Sequence, residues 1–183
     1  ISVSADNIPM DETIISALPE KESRFCRKIA KVCKVTFETL SGQIWSTVES
    51  QDPFYEMSLH TAPLTISSNM YKIFPPEYSN VIEQLSPEGR IKLRADITRT
   101  RPDTDPTYKL LIECLSLDMK PARLPFPLYS ITGSLNINKD RILLQNIKGE
   151  AGKNRLAEIA LDGLINYKGS SLRTGRFHIN ADN

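Results

Sequence analysis

Residues 90–99 read RIKLRADITR, and apolar and polar residues alternate throughout this stretch, from Arg90 to Arg99. A period of two residues is typical of a β-strand that buries one face and exposes the other. The same alternation recurs at 131–138 and at 157–167. The sequence therefore predicts a sheet with one apolar and one polar face.

Several further segments have strand character and are separated by short polar turns such as Lys139-Asp140. Ser41-Gly42, between two segments rich in β-branched and aromatic residues, predicts a hairpin or a bulged strand pair. Strands joined by short turns favour an antiparallel meander. The remaining strands are predicted at 1–6, 35–40, 44–48, 54–61, 108–119, 141–147 and 177–181.

Helical signals concentrate in the N-terminal half. Asp11 is a candidate N-cap for a helix that ends before Pro19, and apolar residues at helical spacing predict a second helix from Glu20 to about Cys33. Pro75-Pro76 would open a third helix that ends at Leu85. We therefore expect an α+β fold that is predominantly β, a curved antiparallel β-meander with two or three short helices packed on it.

Two repeat units are predicted, a helix-containing β unit at 1–89 and an antiparallel β-meander unit at 90–183, which together could form one continuous domain. The start of the chain resembles its end: ISVSADN at 1–7 aligns with FHINADN at 177–183, an offset of 177 − 1 = 176 residues. The chain opens on Ile1 without a targeting signal. These patterns suggest a segment cut from a longer β-repeat protein.

Composition argues against several classes of partner. The 23 basic residues nearly cancel the 22 acidic ones, so no global field would attract nucleic acid. Apolar runs span only a few residues, far short of the roughly 20 needed to cross a bilayer, so no transmembrane segment is predicted. With 40% hydrophobic residues in 183, the chain can form a folded core.

No constellation of catalytic or metal-binding residues stands out. His60 and His178 fall on the polar side of predicted strands, and the calcium-loop-like Asp103-Thr104-Asp105 is followed by Pro106. The 3 cysteines form no C-x-x-C pair and are interpreted as structural thiols. We therefore predict a non-enzymatic protein with no catalytic residue, cofactor or metal; an unrecognised hydrolase is the alternative that this pattern least favours.

A resemblance appears in the second half of the chain, where Ile131 to Leu135 leads into ILLQNIKG at 142–149 and then into Ile159 to Gly163. This pattern, a strand followed by aliphatic-x-Leu-x-Asn-aliphatic-x-Gly and a further strand ending in Gly, is similar to the repeats of the AsmA-like and TamB-like bacterial envelope proteins. The resemblance implies a curved β-groove with an apolar inner face, on the periplasmic side of the bacterial cell envelope, that holds or conducts lipid.

The leading hypothesis is thus a structural or transport module of a larger, membrane-anchored envelope protein, with phospholipid or another acyl-chain ligand and neighbouring repeats of the same chain as partners. The apolar face would be either a closed core or a lipid groove. The alternative is a protein–protein interaction module that uses exposed sheet edges. The residues predicted to line the apolar face are Ile91, Leu93, Ile97, Leu135, Ile137, Ile159, Leu161 and Ile165.

Overall fold

In the computed structural model, the described residues form one antiparallel sheet. They comprise 2–9, 36–45, 54–73, 82–101, 104, 106–122, 124–168 and 171–182. The strands are β1 (Ser2–Pro9), β2 (Thr36–Trp45), β3 (Phe54–Thr61), β4 (Leu64–Ile66), β5 (Glu88–Arg99), β6 (Thr107–Met119), β7 (Leu128–Asn138), β8 (Arg141–Ala151), β9 (Ala157–Lys168) and β10 (Ser171–Asp182).

The sheet follows chain order with one local exception. Its path runs β1-β2-β3-β5-β6-β7-β8-β9-β10, and the short β4 pairs with the start of β5 next to β3. Every pairing is antiparallel, which confirms the predicted meander. The boundary predicted between the two repeat units, at residues 89 and 90, lies inside β5. Because β3 and β4 both pair with β5, the strands on both sides of that boundary belong to one sheet.

The helix content of the α+β prediction is overstated. In the described residues, helix is limited to a 3₁₀ helix at Ser68–Ile73 and a helical turn at 82–85. The two helices predicted between residues 11 and 33 lie outside the described residues, and so does most of the one predicted to end at Leu85. What the structure shows is a predominantly antiparallel β fold.

The hairpin or bulged strand pair predicted at Ser41-Gly42 is wrong, because β2 runs through both residues without a turn and pairs with β3 there in unbroken register. Gly42 has a different role. A Cβ atom at Gly42 would lie 2.6 Å from the backbone oxygen of Glu56, so glycine allows β2 to approach β3 closely.

A line of β-bulges crosses the middle of the sheet. The pairing registers shift near Cys114 in β6, between Tyr129 and Thr132 in β7, and between Leu144 and Ile147 in β8. Two of these bulges contain a non-glycine residue with positive φ, Ser130 and Asn146, each at 52°. Bulges bend strands and increase their twist, so their alignment on neighbouring strands creases the sheet.

Aspartates on adjacent strands stabilise these two bulges. The Ser130 N–H donates to Asp118 Oδ1 at 2.9 Å, and the Asn146 N–H donates to Asp162 Oδ1 at 2.8 Å. In both bulges the extra residue has a backbone N–H that the pairing between strands leaves without an acceptor, and an aspartate side chain accepts its hydrogen bond instead.

A cluster of buried apolar residues lies along this crease. Ile131 is 2% exposed, and the rest of the cluster is exposed by 9% or less. Burial of these side chains stabilises the described sheet through the hydrophobic effect. The cluster, called the crease core below, consists of Phe37, Leu64, Ile91, Cys114, Leu117, Ile131 and Ile147.

Candidate functional site

The candidate site is one face of the sheet, which we call the apolar face. Directly opposed residues in neighbouring strands share a face, so the register identifies its members. One complete row of opposed residues crosses the sheet from β2 to β9 and contains only aliphatic side chains. This row consists of Leu40, Leu59, Ala95, Leu110, Ile137, Ile142 and Ile165.

A second row lies closer to the crease. Leu93, Ile112, Leu135 and Leu144 oppose one another in β5 to β8, and the row continues through Gly163 to Phe177. The Phe177 ring covers Gly163, where a Cβ atom would lie 2.5 Å from Phe177 Cδ1. The two rows give the apolar face a continuous hydrocarbon surface over six neighbouring strands, β5 to β10.

All the residues predicted to line the apolar face lie on this same side of the sheet. Ile91 belongs to the crease core. Leu93 in β5 and Leu135 in β7 both oppose Ile112, which lies between them in β6. Ile97 lies between Met57 and Tyr108 in a third row. The four remaining residues occupy β7 and β9 at positions of the same parity: Ile137, Ile159, Leu161 and Ile165.

The opposite face is polar and carries most of the charged side chains. The Ser58 hydroxyl donates to Asp96 Oδ1 at 2.6 Å, and Lys92 Nζ lies 3.0 Å from Glu38 Oε1. Asn136 Nδ2 likewise donates to Gln145 Oε1 at 2.7 Å. Exposed pairs of this kind contribute little stability, but they show which side of the sheet is hydrated.

Burial differs between the crease and the rest of the apolar face. Apart from Ala95, which is 8% exposed, the residues of the first row are half-buried. Within the described residues each strand packs mainly against its hydrogen-bonded neighbours, and no second layer covers this face. Away from the crease, that part of the chain therefore leaves a broad aliphatic surface without a covering layer.

A tyrosine fixes the 3₁₀ helix to the start of β5. Tyr71 is 6% exposed, and its hydroxyl donates to the Pro87 backbone oxygen at 2.7 Å. Burial raises the pKa of Tyr71, and the nearby Glu88 carboxylate raises it further. This contact is structural, because it joins the 3₁₀ helix to the residue that precedes β5.

The titratable side chains of the described residues do not gather into a metal-binding cluster. These residues contain no group of three or more His, Cys, Asp or Glu residues that could hold a metal ion. His60 and His178 both lie on the polar face, opposite Arg94 and Asp162 respectively. Burial raises the pKa of Cys114, which disfavours its reactive thiolate form; Cys26, Cys33, Asp103 and Asp105 lie outside the described residues.

The residues predicted to line the apolar face all belong to β5, β7 and β9, whereas the pairing adds residues of β2, β3, β6 and β8 to it. In β6 the run Leu110-Leu111-Ile112 hides the period of two, and only the pairing shows that Leu111 lies on the polar side opposite Arg94. In β8 a detectable signal was present. The spacing from Leu144 to Ile147 is three residues, which is the mark of a bulge between two alternating segments.

Comparison with known proteins found no match to this chain among family models, curated proteins or solved structures. None of the helical segments in the described ranges is long and apolar enough to cross a bilayer.

Proposed function

We propose that this chain is a non-enzymatic module whose apolar face holds or conducts an acyl chain of a lipid. The observation that supports the proposal is the unbroken row of aliphatic residues from β2 to β9 on a sheet face that the described residues do not cover. An apolar surface of this extent needs a hydrophobic partner, and a long hydrocarbon chain matches its shape and chemistry.

The dimensions suit such a ligand. Neighbouring strands lie about 4.8 Å apart, so the row from Leu40 to Ile165 measures on the order of 30 Å. One leaflet of a bilayer has a hydrocarbon thickness of roughly 15 Å, half of its full core. A single acyl chain would therefore span about three or four strands, and the face is long enough for one lipid or for movement along the row.

A groove requires a sheet that bends toward its apolar face. The bulges in β6, β7 and β8 support such a bend, because bulges bend the strands that contain them. The same architecture is implied by the resemblance to AsmA-like and TamB-like envelope proteins. On that basis the proposal extends to a transport or scaffold role in a larger protein at the periplasmic side of a bacterial envelope.

Native mass spectrometry of the chain purified from bacteria tests the proposal. We expect phospholipid to co-purify at a fixed stoichiometry and to dissociate on collisional activation. Leu135→Asp places a charge in the half-buried second row and should reduce lipid occupancy at least fivefold, because a carboxylate would have to lose water next to hydrocarbon.

Asn136→Asp is the matched control, since it adds the same charge one residue away on the polar face. It should leave occupancy unchanged. A chain that contains no lipid and takes up none from vesicles of phosphatidylethanolamine and phosphatidylglycerol would contradict the proposal. Equal losses in both variants would also contradict it, because they would indicate binding that does not depend on the face.

A further inference from the structure

The two outermost strands of the sheet are related in sequence and in placement. β1 and β10 overlap the segments 1–7 and 177–183, which align at an offset of 177 − 1 = 176 residues and share Ala-Asp-Asn. All the pairings along the path from β1 to β10 are antiparallel, and the number of steps is even, so β1 and β10 run in the same direction. The pairings also place aligned positions of the two strands on the same face of the sheet, as for Ala5 and Ala181.

β1 and β10 have their paired neighbours along opposite edges. β1 pairs with β2 on the side toward the rest of the sheet, whereas β10 pairs with β9 on the opposite side. The second edge of β10 pairs with no strand among the described residues. This edge is therefore the equivalent of the edge through which β1 binds β2.

The side chains of β10 agree with an unoccupied edge. Phe177 is 53% exposed and Ile179 is 65% exposed, although both lie on the apolar face. The alignment equates Ile179 with Val3, whose partner in β2 is Gly42, and Ala181 with Ala5, whose partner is Leu40. A large residue would meet glycine and a small residue would meet leucine, which is a complementary pattern across two strands.

We propose that the free edge of β10 binds an extended segment with the sequence pattern of β2, in antiparallel register. The register follows from that of β1: His178 opposite Gln43, Ile179 opposite Gly42, Asn180 opposite Ser41 and Ala181 opposite Leu40 of the incoming segment. The partner must present this strand unpaired, because β2 of an intact second copy is already paired with its own β1 and β3. The inference concerns the edge of the sheet and does not depend on lipid binding.

The probe is a fluorescently labelled peptide of residues 36–45, TFETLSGQIW, titrated with the full chain and followed by anisotropy. We expect saturable binding, with none for a scrambled peptide of equal composition. Hydrogen exchange measured by mass spectrometry should show slower exchange of amides in 171–182 when the peptide is bound, because strand addition pairs the free backbone groups of β10.

Two variants make the register testable. Ile179→Asp should weaken peptide binding by roughly tenfold or more, because it places a charge on the apolar face, where Leu40 of the incoming segment is a diagonal neighbour. Asn180→Asp carries an added charge on the other face of the same strand and should change binding less than about twofold. Both positions are exposed, so circular dichroism should show an unchanged fold. Absence of peptide binding, protection confined to 2–9 instead of 171–182, or equal effects of the two variants would overturn the proposal.

Discussion

The contrast between the crease core and the rest of the apolar face predicts two very different costs for the same substitution. Ile131→Ala and Ile165→Ala both remove three carbon atoms from an isoleucine on the apolar face. Ile131 is 2% exposed and belongs to the crease core, whereas Ile165 is half-buried in the first row. Because the substitution is the same in both variants, the difference between them measures the effect of side-chain burial alone.

The expected magnitudes follow from burial. Each buried carbon contributes about 0.8 kcal/mol, so Ile131→Ala loses roughly 2.4 kcal/mol in transfer free energy. A cavity that the neighbouring strands cannot fill raises the total to about 3–4 kcal/mol. Ile165→Ala should cost only about 1 kcal/mol, because part of that side chain already contacts water and no closed cavity remains.

Urea unfolding followed by circular dichroism measures the difference. With a denaturant dependence of about 2 kcal/mol per molar urea, the unfolding midpoint should fall by roughly 1.5–2 M for Ile131→Ala and by roughly 0.5 M for Ile165→Ala. Equal shifts of the larger size would contradict the expected difference between the two positions. They would show that the first row is a closed core, as deep as the crease.

Three further outcomes follow from local geometry. Gly133 has φ 115° and a Cβ there would lie 2.5 Å from the Asn146 backbone oxygen, so Gly133→Ala should lower the free energy of unfolding by about 2–4 kcal/mol in denaturant titrations. Asp162→Ala removes the acceptor of the Asn146 N–H and should cost about 1 kcal/mol in thermal unfolding, whereas Asp162→Asn, which keeps an oxygen acceptor, should cost less. Tyr71→Phe removes the hydrogen bond to Pro87 and should cost about 1 kcal/mol near pH 7. Folding raises the pKa of Tyr71 above its ordinary 10.0, so the contribution of its hydroxyl to the free energy of unfolding is complete below pH 10 and declines at higher pH. The difference in unfolding free energy between wild type and Tyr71→Phe should therefore narrow above pH 10. A constant difference would contradict the raised pKa of Tyr71.

The strands were predictable because alternation is a local signal. In segment 90–99 the period of two is unbroken, and the structure extends that strand by only two residues, to Glu88–Arg99. The prediction at Ser41-Gly42 was wrong because glycine between two strand-like segments usually marks a turn. Here the glycine serves a contact between strands, and nothing in a single sequence reveals the approach of Glu56.

The bulges explain the motif that carried the family resemblance. In ILLQNIKG at 142–149, Asn146 adopts the positive φ of the bulge, and asparagine tolerates that conformation better than most residues. Gly149 lies where a Cβ atom would be 3.0 Å from the Tyr129 backbone oxygen, so β7 and β8 approach closely there. The motif therefore encodes a bend in the sheet. Sequence reading found its residues but not their geometry, because a bulge becomes visible only when both strands are paired.

The extent of the apolar face could not be predicted for a similar reason. Alternation assigns the two faces within one strand, but each bulge reverses the assignment for the residues that follow it. Cys114 and Leu117 lie on the same face although they are three residues apart. Only the register between strands joins such segments into one surface.

Photo-crosslinking with a diazirine-bearing phospholipid would show which residues of the apolar face touch the acyl chain. We expect crosslinks at alternate positions on that face, at Leu135 and Ile137 in β7 and at Ile165 in β9, with none at Ser134 or Asn136. Crosslinks spread equally over both faces, or confined to residues of the polar face, would contradict the proposal that the apolar face holds lipid.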